Sequence, residues 1–234
     1  MADLLDPQRF GASLRDRITA RRSFGGHPLW HRIAEGGVDR AGLQRFAVQF
    51  FLQVREFPRA VSALHTVCPS AEERRMLAES LYEEETGLIS GCGLPHPELF
   101  MLFGEGVGLS RAAMLEGEPL PGTAALIDWF LESTTKRSFL EGAAAINLAA
   151  EGQVPGAFGP FARALEKHYG LSKQAVSFWD VHEIADQEHS DVGDHIVVHH
   201  ANTPELQQKV RDAVETSLDR WHGFFDDIEA AIAS

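Results

Sequence analysis

The stretch SFWDVHEIADQEHSDVGDH, residues 177–195, decides how this chain is interpreted. His182, Asp186 and His189 stand at positions i, i+4 and i+7, so on an α-helix their side chains lie within roughly 60° of one another. Two imidazoles and a carboxylate on one helix face are costly to bury unless a cation satisfies them. The triplet therefore predicts a metal site, although a solvent-exposed face that carries these residues by chance explains it equally well.

A second candidate ligand ends the small-residue run before Gly152. Glu151 follows Ala144 and Leu148 at seven- and three-residue spacing, so the face that is apolar up to that point terminates in a carboxylate. A glutamate that faces the core needs a partner, whereas a glutamate on the helix surface does not. Both interpretations stay open from spacing alone.

The segment LYEEETG supplies another acidic candidate. Three leucines form a predicted inward stripe that runs through this segment: Leu77, Leu81 and Leu88. Glu84 lies between the last two at three- and four-residue spacing, and Glu85 fits the stripe almost as well, so periodicity does not choose between them. His96 begins the following helix, where it is either a ligand or an ordinary N-terminal histidine.

Helix signals recur along the chain and strand alternation is almost absent, which predicts an all-α bundle of about eight to ten helices. We expect one domain over residues 1–234, because no internal repeat and no long linker divides the chain. The first predicted helix begins at Asp6-Pro7. The other main predicted helices run from His27-Pro28 to about Gly36-Gly37, from Asp39 to Val67, from Ser70 to about Gly87, from Thr123 to Glu151, from about Ser172 to His199, and from Thr203-Pro204 to the C-terminus. A kink is expected at Pro58 in the helix from Asp39 to Val67.

Composition excludes several classes of function. The 234 residues carry a formal charge of −13, which would repel nucleic acid and anionic lipid surfaces. The longest small apolar run, from Gly142 to Ala150, is too short to cross a bilayer, and the N-terminal residues lack an apolar secretion segment. With only two cysteines, the chain is expected in the cytoplasm, without a membrane or nucleic-acid partner.

Six segments occur in an order that is typical of one superfamily. They are HPLWHRIAEGGVDRAGLQRFAVQFF (27–51), REFPRAVSALHTVC (55–68), LYEEETG (81–87), PHPELF (95–100), AEGQVP (150–155) and FWDVHEIADQEHSD (178–191). The chain resembles the haem-oxygenase-like superfamily that includes the PqqC and TenA proteins. Within it, the chain is most similar to the non-haem di-iron oxidases and oxygenases, in particular the CADD-type branch linked to para-aminobenzoate synthesis.

The resemblance implies a haem-oxygenase-like helical bundle and a set of six metal ligands. Carried over by position, these are Glu84, His96, Glu151, His182, Asp186 and His189. It also implies two iron ions, or one iron and one manganese, with O2 as co-substrate and a small organic molecule as substrate. An external electron donor and a homodimer are further expectations, and the choice between Glu84 and Glu85 stays open.

Other chemistries occur in the same superfamily. PqqC-like proteins are metal-free oxidases with basic and aromatic pocket residues, and TenA-like proteins are aminopyrimidine hydrolases with a nucleophilic cysteine. Neither Cys68 nor Cys92 has an activating base nearby in sequence. A non-enzymatic helical interaction protein is a further alternative, although a binding module has no need of inward-facing acids.

The sequence departs from the para-aminobenzoate branch, which is thought to consume one of its own tyrosines and to use a lysine. Trp30 stands where such an aromatic residue is expected, and Phe161 stands where the lysine is expected, with Lys167 the next lysine along. The only tyrosines are Tyr82 and Tyr169. Three aromatic residues are candidates for a substrate pocket or for plain core: Trp30, Phe50 and Phe51. Three histidines point away from the triplet face and are expected to lie outside the site: His195, His199 and His200.

Overall fold

Helices account for all the regular structure in residues 4–233, which are the residues that the computed structural model describes, apart from the side chains of residues 184–191. The α-helices are α1 (Pro7–Arg21), α2 (Pro28–Ala34), α3 (Arg40–Val54), α4 (Phe57–Val67), α5 (Ala71–Thr86), α6 (His96–Gly106), α7 (Arg111–Leu115), α8 (Pro121–Thr135), α9 (Phe139–Ala143), α10 (Phe158–Tyr169), α11 (Ser177–His200) and α12 (Pro204–Ala233). A π-helical segment (Ala144–Leu148) and a 3₁₀ turn (Glu151–Gln153) follow α9. Across the described residues, none of the helices has both the length and the apolar character needed to cross a bilayer.

The predicted helix starts coincide with side-chain caps. The Asp6 side chain accepts a hydrogen bond from the backbone N–H of Arg9, and the Ser70 hydroxyl accepts one from that of Glu73. The Thr203 hydroxyl does the same for Leu206 at the start of α12. Each cap satisfies a backbone donor that the first turn of a helix leaves without an intrahelical partner.

The kink predicted at Pro58 is a complete break between two helices. The α3 helix ends at Val54 and α4 begins at Phe57, so Pro58 occupies the first turn of α4. A proline there lacks the N–H that would continue α3, and its ring excludes the preceding turn of helix. The break leaves the last turn of α3 facing the interior, where Gln53 is buried.

The prediction of one long helix from Thr123 to Glu151 is wrong. The structure divides this stretch into α8, α9, the π-helical segment and the 3₁₀ turn, because Ser138 and Glu141 form a reciprocal capping box that starts a new helix. The π-helical segment then lies directly against α11. A Cβ atom at Gly193 of α11 would stand 2.7 Å from the backbone nitrogen of Leu148, so the glycine permits this close backbone approach.

An aromatic core fixes the position of α11. The Trp179 side chain is fully buried, and its ring centroid lies 4.9 Å from that of Phe158, 5.0 Å from that of Phe161 and 5.1 Å from that of Phe50. These rings come from α10 and α3, so three helices are packed around one indole. Close packing on this scale restricts rotation of α11 and holds His182, one turn further on, in a fixed orientation.

Candidate metal centre

Three side chains that can bind a metal converge in the interior of the bundle. Glu84 comes from the last turn of α5, His96 from the first residue of α6 and His182 from the second turn of α11. Each offers one nitrogen or oxygen atom, and these atoms all lie within 4.8 Å of one another. All three residues are buried, and His96 is completely so.

The turn between α5 and α6 brings Glu84 and His96 together. Gly87 ends α5 with φ of 60°, and a Cβ atom there would stand 2.3 Å from both Cys92 Sγ and the carbonyl oxygen of Leu94. Only glycine adopts this conformation without strain and leaves room for the returning chain. As a result, Oε2 of Glu84 lies 3.1 Å from Nδ1 of His96.

Glu83, the neighbour of Glu84, contacts the other nitrogen of His96. Its Oε1 lies 3.2 Å from Nε2 of His96, and its Oε2 accepts hydrogen bonds from the backbone N–H groups of Ile89 (2.8 Å) and Ser90 (3.2 Å). Burial alone would raise the pKa of Glu83, but the hydrogen bonds from Ser90, His96 and Ile89 outweigh it and lower that pKa. The ionised Glu83 favours the tautomer of His96 with its proton on Nε2, which leaves the Nδ1 lone pair for a metal.

His182 is oriented in a similar way by its own helix. Its Nδ1 lies 2.8 Å from the carbonyl oxygen of Phe178, and the two ring centroids are 4.0 Å apart. A proton on Nδ1 therefore donates to that carbonyl and leaves Nε2 as the ligand atom. The His182 and His96 rings lie edge to face, with centroids 4.4 Å apart.

The donor set fits a divalent transition metal. Two atoms that each lie about 2.1 Å from one metal, at about 90° to each other, are about 3.0 Å apart, which is close to the separation of Glu84 Oε2 and His96 Nδ1. Imidazole and carboxylate ligands without a cysteine suit iron or manganese better than a structural zinc. Acceptors behind both histidines are the usual accompaniment of metal ligation.

Glu151 lines the same interior space. It lies in the 3₁₀ turn after the π-helical segment, is 5% exposed, and accepts a 3.0 Å hydrogen bond from Nδ2 of Asn147. Together with Glu84 and His182 it lines an internal cavity, in which the space open to the centres of water molecules is about 60 Å³. That space is several times what one water needs.

The structure separates the alternatives that spacing left open. Glu84 is buried beside His96, whereas Glu85 is exposed. Glu151 faces the interior, as expected for a candidate ligand. The side chains of Asp186 and His189 lie outside the described residues, although α11 spans both positions. The assignment of these residues as metal ligands stays a prediction.

The other candidates have different positions. His199 is exposed and packs on His195, with ring centroids 4.0 Å apart, and His200 contacts Glu73 of α5 at 2.5 Å. Phe50 lines the cavity. Trp30 instead stacks on Phe161 in the core, with centroids 3.9 Å apart. Leu88, expected on the inward stripe of α5, is 58% exposed because the helix ends before it.

Sequence reasoning missed Glu83 and Gln53. Glu83 lies next to Glu84 in LYEEETG, but adjacent residues on a helix point about 100° apart, so no stripe places both near one histidine. Glu83 contacts His96 because the chain reverses at Gly87 and returns beside it. Gln53 is one of three glutamines in α3, and no sequence signal distinguishes it from the other two.

Comparison with known proteins agrees with this architecture. A crystal structure from Shewanella denitrificans, described as a domain of unknown function with a heme oxygenase-like fold, superposes with a TM-score of 0.78 at 16% identity, covering 98% of this chain and 94% of that one. The chain therefore has the haem-oxygenase-like fold that the sequence predicts. A family model described as iron-containing redox enzyme matches residues 44–222.

Curated relatives extend over most of the chain. A 4-aminobenzoate synthase of Nitrosomonas europaea is 30% identical over 91% of this chain and 88% of its own length. A pyrroloquinoline-quinone synthase of Xanthomonas oryzae is 26% identical over 92% of this chain and 84% of its own length. The chain belongs to the iron-containing redox enzyme family, and the predicted resemblance is confirmed at the level of family and fold.

Proposed function

We propose that this enzyme is a non-haem di-iron oxidase or oxygenase that uses O2 to oxidise a small organic substrate. The buried cluster of Glu84, His96 and His182, of which Glu84 and His182 line the cavity, is the observation that carries the proposal. The full ligand set would be Glu84, His96, Glu151, His182, Asp186 and His189. Ferrous ions bound there would supply the electrons that reduce O2, and manganese in one position would also suit these ligands.

The residues of the chain prepare this site in two ways. Glu83 and the carbonyl of Phe178 hold the two histidines in the tautomers that direct a lone pair to the metal. Aromatic side chains, among them Phe178 and Phe158, give the cavity a mainly apolar wall. Surroundings of low polarity strengthen the attraction between the carboxylates and a cation.

The cavity does not favour the metal-free chemistry of PqqC-like proteins. That chemistry uses basic pocket residues, and the described residues that line this cavity include no lysine or arginine. Glu84 and Glu151 bring two carboxyl groups to the cavity instead, and a bound cation would stabilise their ionised forms.

The cysteines do not favour the hydrolysis that TenA-like proteins catalyse. Cys68 is buried, and its burial raises the pKa of the thiol, which lowers the fraction present as the nucleophilic thiolate. Neither Cys68 nor Cys92 is among the described residues that line the cavity.

An external substrate suits this chain better than one of its own tyrosines. Tyr82 is 50% exposed, and neither Tyr82 nor Tyr169 is among the described cavity-lining residues. The positions where the para-aminobenzoate branch has its aromatic residue and its lysine hold Trp30 and Phe161, which stack on each other in the core. The proposed substrate is therefore a separate small molecule.

Anaerobic loading with Fe(II), followed by metal analysis and measurement of O2 uptake, tests the proposal. We expect about two iron ions per chain and O2 consumption that requires iron. His189→Ala should lose most of the iron, whereas His199→Ala, an exposed histidine on the same helix, should retain it. Full iron content in His189→Ala, or O2 uptake that is unaffected by removing iron, would reject the proposal.

A further inference from the structure

We infer, resting on the proposed function, that the substrate is a largely apolar small molecule with one uncharged hydrogen-bonding group, and that Gln53 recognises this group. The inference depends on the lining of the cavity, on the hydrogen bonding of Gln53 and on the charges that face the cavity.

The wall of the cavity is mainly aromatic and aliphatic. Its apolar lining includes Phe50, Val54, Phe57 and Phe158, and the ring of Trp221 lies in the same wall with its buried Nε1 making no hydrogen bond to another described residue. Burying a hydrocarbon surface against such a wall is favourable. The wall therefore favours an aromatic ring or a short alkyl chain over a sugar, a nucleotide or a polyol.

Gln53 is a polar exception in this wall. It lies in the last turn of α3, is 4% exposed and lines the cavity, yet its side-chain amide makes no hydrogen bond to another residue described in the structure. Gln49, one turn earlier, differs: it donates to the carbonyl of Glu118 (3.0 Å) and accepts from Leu120 N–H (2.9 Å) and from the Thr123 hydroxyl (2.7 Å).

A buried amide without a hydrogen-bond partner is unfavourable in a folded protein. Water can fill the space beside Gln53, and a ligand that displaces this water keeps the amide hydrogen-bonded only if it supplies a carbonyl, hydroxyl or amide group. Glu84, Glu151 and His182, the other polar residues of the described lining, are assigned to the metals by the proposed function. Of the polar groups that remain in the described lining, the Trp221 indole N–H only donates, whereas the Gln53 amide both donates and accepts, so Gln53 is the side chain suited to orient such a group.

The charges of the cavity limit the substrate further. Two carboxylates face it, and the described lining contains no lysine or arginine that would pair with a phosphate or with several carboxylates. Transfer of a phosphate group into this wall without a cationic side chain is costly. The described protein groups of the cavity therefore do not select phosphorylated or polycarboxylate molecules, and binding of such molecules would depend on the metals.

Binding of matched probes tests the inference on the full chain, with and without anaerobic Fe(II). Benzyl alcohol and ethylbenzene have nearly the same shape, but only the alcohol forms hydrogen bonds, and phenyl phosphate adds the phosphate charge. The ratio of the two Kd values, alcohol to ethylbenzene, is measured by calorimetry for wild type, Gln53→Met and Gln53→Leu. The control is Gln44→Met, which changes a glutamine of the same helix that donates to the carbonyl of Val107, outside the cavity.

We expect the ratio to rise about fivefold to tenfold in both Gln53 variants and to stay unchanged in Gln44→Met, since one hydrogen bond contributes by about that factor. Phenyl phosphate should not bind the iron-free chain. An unchanged ratio in a Gln53 variant that melts like wild type, or binding of phenyl phosphate to the iron-free chain as tight as that of benzyl alcohol, overturns the inference. Iron content measured on the same samples separates the two proposals: iron bound with no effect of Gln53 refutes only the inference, and the reverse result refutes only the di-iron function.

Discussion

Replacing Glu84 by glutamine, beside the same change at Glu85, isolates the buried carboxylate of the proposed metal site. The two residues are neighbours on α5, but Glu84 is 3% exposed and lies 3.1 Å from Nδ1 of His96, whereas Glu85 is exposed. Each substitution removes one negative charge and keeps the size of the side chain. Any difference between the variants therefore reports the environment of the residue and not the overall charge.

The magnitude follows from binding linkage. At an iron concentration of about 100 times its Kd, a bound metal stabilises the wild-type fold by about 2.7 kcal/mol. Outer ligand partners contribute about 10- to 100-fold to metal affinity, so loss of a direct ligand should weaken binding at least about 100-fold. Glu84→Gln would then gain only about 0.4 kcal/mol from the same iron concentration.

The assay is thermal unfolding under anaerobic conditions, with and without Fe(II). For a chain of this size, 1 kcal/mol corresponds to about 2–4 °C in Tm, so the iron-induced rise in Tm should be about 5–9 °C smaller in Glu84→Gln than in wild type. Glu85→Gln should show the wild-type rise. Equal rises in wild type and Glu84→Gln, or a greater loss in Glu85→Gln, would refute the assignment of Glu84.

Three further substitutions test the surroundings of the site and the capping box that starts α9. Glu83→Gln should lower iron affinity about 10- to 100-fold, because it weakens the acceptor that fixes the tautomer of His96, and titration against a competing chelator measures this. Gly87→Ala should destabilise the fold by at least about 1 kcal/mol, since the residue has φ of 60° and no room for a Cβ; a wild-type urea midpoint would contradict this. Burial would raise the pKa of Glu141, but hydrogen bonds from Ser138 dominate and lower it, so its stabilisation is present above the unfolded pKa and is lost as the pH falls through the folded pKa. Glu141→Ala should therefore lower the free energy of unfolding, measured with urea at about pH 7, by about 1 kcal/mol, and this loss should shrink as the pH falls below the ordinary glutamate range.

The sequence predicted the helices with strong local signals. The starts after Asp6, Ser70 and Thr203 depend on a cap and on residues within one turn of it, so they can be read without tertiary information. The break near Pro58 is local for the same reason. The error in the stretch from Thr123 to Glu151 arose because apolar periodicity continues through it, while the capping box at Ser138 starts a new helix.

Part of the candidate site could also be predicted from local sequence. The His182, Asp186 and His189 spacing, together with LYEEETG, indicates which residue types are available for a metal, because helix periodicity determines which side chains share a face. The inward direction of Glu151 was one of two interpretations that helical spacing left open, and it occurs through a π-helical segment and a 3₁₀ turn. The spacing argument had assumed a continuous α-helix at this point.

By itself, the sequence determined the helical class, the family and a set of candidate ligands, since these depend on composition, periodicity and motif order. Only the tertiary structure decided that Glu84 and not Glu85 lies beside His96, that Glu83 holds the other nitrogen of this histidine, and that Gln53 lines the same cavity as His182. These relations join residues on different helices. They depend on the reversal of the chain at Gly87 and on the packing of α3 and α11 around one aromatic core, and the spacing of residues along a single helix contains no information about either.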